Sequence, residues 1–242
     1  MGMVLLLTLL AFLAIPILIL SIASQWYCRW IGYRATVSIG CVGVAVHEIG
    51  HLIAALLCFN KIIGFSLFRP SIDGSLGYVS RQYTIRWYSP LTNFLIAMAP
   101  LASGLMAFLL VTFALRPDLL PMMRILSPEL IAQDAGIVMD FMVAIVTSGG
   151  FVKTLLWFYL SFSILLFCSP SIADFQGAVA GAVWILVVLV GIEVFFPDGN
   201  FELGRLSNLV TAFGVMLWMM LSMLGIMVVM VHGILLAKKA MF

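Results

Sequence analysis

Six apolar stretches recur along the chain, at about 4–23, 36–59, 91–115, 150–168, 175–196 and 208–237, each close to or above the roughly 20 residues that a helix needs to cross a bilayer. The separators between them carry nearly all of the charge. This pattern predicts an all-α polytopic membrane protein of about six transmembrane helices, with 1–242 forming a single membrane-embedded domain. The composition agrees: 64% of residues are hydrophobic and 9% charged, against roughly 45–50% and 25% in soluble domains. Twelve Lys and Arg stand against ten Asp and Glu, and no block of like charge occurs, so nucleic acid is excluded as a partner. The lipid bilayer is the partner that the composition demands.

The run from Val4 to Ala23 lacks a basic leader and exceeds the 7–15 residues of a signal-peptide core, so it is expected to be a retained first helix. Cys28, Cys41, Cys58 and Cys168 form no CxxC pair and are expected to pack as small hydrophobes. The methionines of the last stretch, Met216 to Met230, read as helix-packing or lipid-facing residues.

Three separators have their own character. Residues 61–90 hold turn signals at Asp73-Gly74 and Leu76-Gly77, with β-favouring runs at Gly77-Tyr78-Val79 and Gln82-Tyr83-Thr84-Ile85, and so predict a short hairpin after the second helix. Residues 116–135, with Pro117, Pro121 and Pro128, predict a polar loop with short helical turns. The apolar piece 136–148 is too short to span and contains Asp140, so it is expected to be interfacial or re-entrant. Lys and Arg are nearly balanced between the two sides, with a marginal preference for both termini on the cytoplasmic side.

One motif carries chemistry. Val46-His47-Glu48-Ile49-Gly50-His51-Leu52 places an HExxH inside the second apolar stretch. On a helix His47 and His51, four residues apart, project from one face. Two imidazoles so placed can share one zinc ion, with Glu48 as the general base that activates a zinc-bound water. Three ionisable groups within five membrane residues cost about 2.5–3.5 kcal/mol each on the lenient insertion scale, which argues for a metal or a water-filled cavity around them.

A catalytic zinc generally takes a third protein ligand. The candidates are Asp73, Asp140, Asp174, Glu193 and His232. Asp174 is favoured because it follows Pro170 at a junction between two apolar stretches, where a broken helix can bring a carboxylate into a membrane cavity. The same residue also reads as a cap for the helix expected over 175–196. Asp140 and Glu193 fit solvated, interfacial roles, and His232 fits a helix contact near a basic end.

With these residues in view, the chain resembles the site-2 protease family of intramembrane zinc metalloproteases, and specifically its small bacterial branch without a PDZ domain. The resemblance rests on His47-Glu48-Ile49-Gly50-His51-Leu52-Ile53-Ala54-Ala55, the glycine-bearing Gly77-Tyr78-Val79 segment, Ala99-Pro100-Leu101 in the next stretch and the late Asp174, and it covers a catalytic core of about 36–180. It implies zinc held by His47, His51 and Asp174, catalysis by Glu48, a membrane-embedded protein or peptide substrate, and a multi-pass location in a bacterial inner membrane. Many members carry the late ligand in an Asn-x-x-Pro…Asp-Gly pattern, whereas here Asp174 precedes Phe175; Asn93, at the start of the third apolar stretch, reads either as a polar substitute for the substrate-aligning Asn or as a helix-start residue. The hairpin offers strand pairing to an unwound substrate, with Tyr78 and Val79 as positioning residues. The rival reading is a non-proteolytic metal-binding membrane protein, a transporter or an assembly factor. It accounts less well for Glu48, which coordination alone does not need.

Overall fold

The computed structural model describes residues 2–71, 74–123, 126, 128–134, 136–195 and 203–241. The helices in chain order are α1 Gly2–Ile31, α2 Tyr33–Leu57, α3 Ser89–Leu115, α4 Leu120–Met123, α5 Pro128–Gln133, α6 Gly136–Thr147, α7 Phe151–Phe167, α8 Ile172–Phe195 and α9 Leu203–Met241. Strands β1 Lys61–Ser66 and β2 Tyr78–Gln82 pair antiparallel between α2 and α3. The chain therefore has an all-α polytopic membrane fold with a small hairpin. Among the described residues five helices, α1, α2, α3, α8 and α9, are long and apolar enough to cross a bilayer.

Residues 150–168 were expected to form a sixth full span, but α7 has 17 residues and works together with α8. Thr154 meets Arg116 at the far end of α3, Trp157 meets Thr112, and Phe167 meets His47 midway along α2. From there α8 continues in the same direction: Asp174 lies beside His51, Gly181 packs on Pro90 and Phe94, and Trp184 stands against Trp87. The two helices are thus halves of one interrupted crossing, broken at Cys168-Ser169-Pro170-Ser171, and α8 begins three residues earlier than the expected 175.

That interruption changes the parity of the chain. Helix α9 runs parallel to α1, with Gly214 and Trp218 against Phe12 at one end and His232 stacked on Trp30 at the other. The two ends of the chain therefore lie at opposite ends of the helical bundle, which corrects the expectation that both termini are cytoplasmic. Lys238 and Lys239 fall at the Arg29 and Arg34 end rather than with the start of the hairpin. Met220, Met223 and Met227 of α9 are fully buried in the core, as packing residues. All four cysteines are free, and Cys168 is buried.

Helix α2 is held tightly on two sides. A Cβ at Gly43 would strike the Ser163 carbonyl, and one at Gly50 would strike Ser103 Oγ, so these glycines let α7 and α3 approach to backbone contact. Ser163 is inserted into the α2 ladder: Gly43 N–H donates to its Oγ (2.8 Å) while its hydroxyl donates to Ile39 O (2.5 Å).

The hairpin folds back along α2 instead of projecting from its end. Leu76 reaches Gly40, Gly77 lies on Glu48, and Tyr33 at the start of α2 donates its hydroxyl to Ser71 O (3.0 Å). The run Gln82-Tyr83-Thr84-Ile85 was expected to be strand, yet β2 stops at Gln82. The register Lys61↔Gln82 would pair Tyr83 with Asn60, whose N–H is already used by Ala55 O in the turn that ends α2.

The expected turns are a 3₁₀ turn at Pro117–Leu119, followed by α4 and α5. Helix α6, with 12 residues, is about 18 Å long and cannot span. Arg116, 1% exposed, clasps it. Its guanidinium donates to Ala144 O, Ile145 O, Ser148 Oγ, Thr154 Oγ1 and the Asp118 carboxylate, and it lies over the Trp157 ring. The Arg116→Ala variant is expected to lose on the order of 3 kcal/mol of stability, since several charge-assisted bonds to buried and half-buried acceptors go at once. The guanidinium beside Asp118 holds that carboxyl below the usual carboxylate range. A depressed carboxyl contributes stability above its unfolded pKa of roughly 3.9 and loses it as pH falls through the lower folded value. Thermal melts between about pH 5 and pH 2 should therefore show a small acid-dependent loss that Asp118→Asn lacks, small because Asp118 is 41% exposed.

Candidate metal centre

The helical spacing of α2 brings His47 and His51 together, with their Nε2 atoms 3.0 Å apart. The other ring nitrogen of each is committed. His47 Nδ1 lies 2.8 Å from Phe167 O, and His51 Nδ1 lies 2.8 Å from Ile96 O. A carbonyl oxygen can only accept, so both Nδ1 atoms carry hydrogen, and each neutral imidazole turns the Nε2 lone pair toward the other. Two lone pairs face each other this closely only with a cation between them, either a proton on one ring or a metal ion bound by both.

Asp174 completes the group. Its Oδ1 is 3.1 Å from His51 Nε2 and its Oδ2 is 3.5 Å from His47 Nε2. One ligand atom from each of the three residues lies within 4.8 Å of the others, so the cluster could hold a metal ion. Two imidazole nitrogens and a carboxylate oxygen, with each imidazole anchored through its second nitrogen, form a donor set that fits a transition-metal ion.

Asp174 reaches this position from the first turn of α8. Ser171 N–H donates to Asp174 Oδ2 (2.7 Å) and Asp174 N–H is received by Ser171 Oγ (3.2 Å), a reciprocal capping box. The capping and ligand readings of Asp174 are therefore compatible, because one carboxylate serves both contacts. The sequence Ser171-Ile172-Ala173-Asp174 carries that capping signature.

Glu48, 8% exposed, stands beside the histidines on the same helix. Gly77 rests on it, so that a Cβ there would come 2.8 Å from Glu48 Cγ and 3.1 Å from Oε1. All four of these residues line a cavity of about 730 Å³, bounded by α1, α2, the hairpin, the start of α3 and the break between α7 and α8. Ser24 and Gln25 of α1, Thr36 of α2, and Ser169 and Ser171 at the α7–α8 break give it polar lining. Burying His47, Glu48 and His51 in an apolar helix becomes tolerable because they border this cavity instead of lipid.

The remaining candidates separate cleanly. Tyr78, Val79 and Asn93 line the cavity, with Asn93 Oδ1 accepting from Arg81 (3.0 Å). Asp140 is exposed on α6, away from the cavity, and His232 stacks on Trp30 with ring centroids 4.4 Å apart. Glu193 belongs to the last turns of α8, about 28 Å along the helix from Asp174. Asp73 falls outside the described residues. Sequence reasoning missed the backbone carbonyls of Ile96 and Phe167, the contact of Gly77 with Glu48 and the α1 wall. Only the first had a local signal, a proline four residues after Ile96.

No family model matches the chain, and neither does any curated protein or solved structure.

Proposed function

We propose that the protein is an intramembrane zinc metalloprotease, acting on a peptide bond of a membrane-embedded protein or peptide in a bacterial inner membrane. The observation that carries this reading is the convergence of His47, His51 and Asp174 with a buried glutamate at one wall of a cavity between apolar helices. The resemblance of the HExxH stretch and its surroundings to site-2 proteases supplies the choice of zinc and of reaction. Zinc held by His47, His51 and Asp174 would supply Lewis-acid activation of water and of the scissile carbonyl.

The chain's own groups then have defined tasks. Glu48 accepts the proton of the attacking water as the new C–O bond forms, and delivers it to the amine nitrogen as the C–N bond breaks. Phe167 O and Ile96 O keep both imidazoles turned toward the ion. The open edge of β2 holds the substrate extended, since a helical substrate has its carbonyls tied in i→i−4 bonds. An unpaired strand edge at this depth is tolerated because Tyr78, Val79 and Arg81 border the cavity.

The test is cleavage of a transmembrane substrate by the purified, zinc-loaded protein, together with its metal content. Asp174→Ala is expected to reduce metal retention and abolish cleavage, whereas Asp140→Ala and Glu193→Ala leave both unchanged. Ser171→Ala controls for the helix cap: it removes the reciprocal partner, at about 1 kcal/mol of stability, and keeps the carboxylate. Full activity and metal content in Asp174→Ala would overturn the ligand assignment.

A further inference from the structure

Pro100 sits in the interior of α3. In an unbroken helix the carbonyl of residue 96 accepts the N–H of residue 100. Proline has no N–H, and its ring presses against the carbonyl four residues back and tilts it out of the ladder. Ile96 thus offers, inside an apolar helix, an acceptor that α3 cannot satisfy, and leaving such a group unpaired is costly. His51 Nδ1 lies 2.8 Å from this oxygen.

We propose that Pro100 is a positioning residue for the metal centre. By deleting one helical donor it reserves the Ile96 carbonyl for His51, fixes the Nδ1–H tautomer and so directs the Nε2 lone pair at His47 and Asp174. The proposal rests on the reading of His51 as a metal ligand. The opposite wall of the site repeats the arrangement. Phe167 is the last residue of α7, and the N–H that would continue its ladder, that of Ser171, is turned instead to Asp174 Oδ2 (2.7 Å). The released Phe167 carbonyl takes His47 Nδ1. Each imidazole is therefore oriented by a carbonyl that its own helix has given up, on α3 by a proline and on α7 by a helix end.

The chain has three histidines, His47, His51 and His232, so selective ¹⁵N-histidine labelling of the full-length protein yields a spectrum of three imidazoles. Protonated and unprotonated ring nitrogens resonate far apart, and in the zinc-loaded protein the resonance of each Nδ1–H also reports whether it is hydrogen-bonded. The wild type is expected to show a hydrogen-bonded His51 Nδ1–H. Pro100→Ala restores an N–H that competes for Ile96 O, and the His51 Nδ1–H is then expected to lose its hydrogen-bonded shift while that of His47 is unchanged. Zinc affinity, read by competition with a chelator, should fall about 10–100-fold, the usual effect of losing a partner behind a metal-bound histidine.

Pro100→Gly restores the same N–H without favouring the helix, and should give the same change at His51. Pro16→Ala, the corresponding change in the interior of α1, should give none. A wild-type His51 Nδ1–H resonance in both Pro100 variants would overturn the proposal. Failure of the wild type to bind zinc would overturn the protease reading, whereas zinc binding with that unchanged resonance overturns the role of Pro100 alone.

Discussion

Glu48→Gln is expected to retain its metal and to lose about 10²–10⁴-fold in cleavage rate, the range that a positioned general base contributes. His47→Ala and His51→Ala are expected to lose the metal itself. The contrast follows from the geometry. The two Nε2 atoms and the Asp174 carboxylate converge on one point, and Glu48 lies outside that ligand group while lining the same cavity. Glutamine keeps the shape of the side chain against Gly77 and removes only its capacity to take a proton. Metal analysis of detergent-purified variants, beside single-turnover cleavage of a transmembrane substrate, separates the two roles. Loss of metal from Glu48→Gln would mean that the glutamate is a ligand, and undiminished cleavage would mean that it is not the base.

How much of this was legible in the sequence depended on whether the signal was local. The helical pair His47 and His51 follows from spacing alone, and the length of an apolar run sets the number of long helices to within one. Residues 150–168 were read as a separate span because their length and hydropathy are those of a span. Direction is not written in composition, and only the contacts of Thr154, Phe167 and Trp184 show that α7 and α8 share one crossing. The placing of both termini on one side failed for the same reason, since it counted helices where crossings were needed. Asp174 was found through the Pro170 break, a local feature, but its double use as cap and cluster member depended on His51 arriving from 123 positions away in the chain. The carbonyls that orient the histidines carry no side-chain signal. Any residue could stand at 96 or 167, and what matters is the donor missing from the ladder.

The second large effect concerns the open edge of β2. Among the described residues strand β2 pairs with β1 alone, and along an antiparallel strand successive N–H groups point alternately to the partner and away from it. Of the neighbouring positions Val79 and Ser80, one therefore aims its N–H at β1 and the other at the open edge. Proline at the edge-directed position removes a donor to the substrate and leaves the β1 ladder complete. Each main-chain bond lost costs about 0.5–1.5 kcal/mol, up to roughly tenfold in rate. Disturbance of the strand that carries the neighbouring acceptors brings the expected loss to about 10–100-fold for a helical membrane substrate, with zinc content unchanged. A matching loss is expected without touching the enzyme, by N-methylating single amides of the substrate on either side of the scissile bond. Methyl groups at alternate amides should block cleavage and those between should not, because only every second N–H of a paired strand faces its neighbour. Uniform cleavage across the methylated series, together with wild-type rates for Val79→Pro and Ser80→Pro, would remove the strand-pairing role and leave the metal chemistry of His47, His51, Asp174 and Glu48 to stand on its own test.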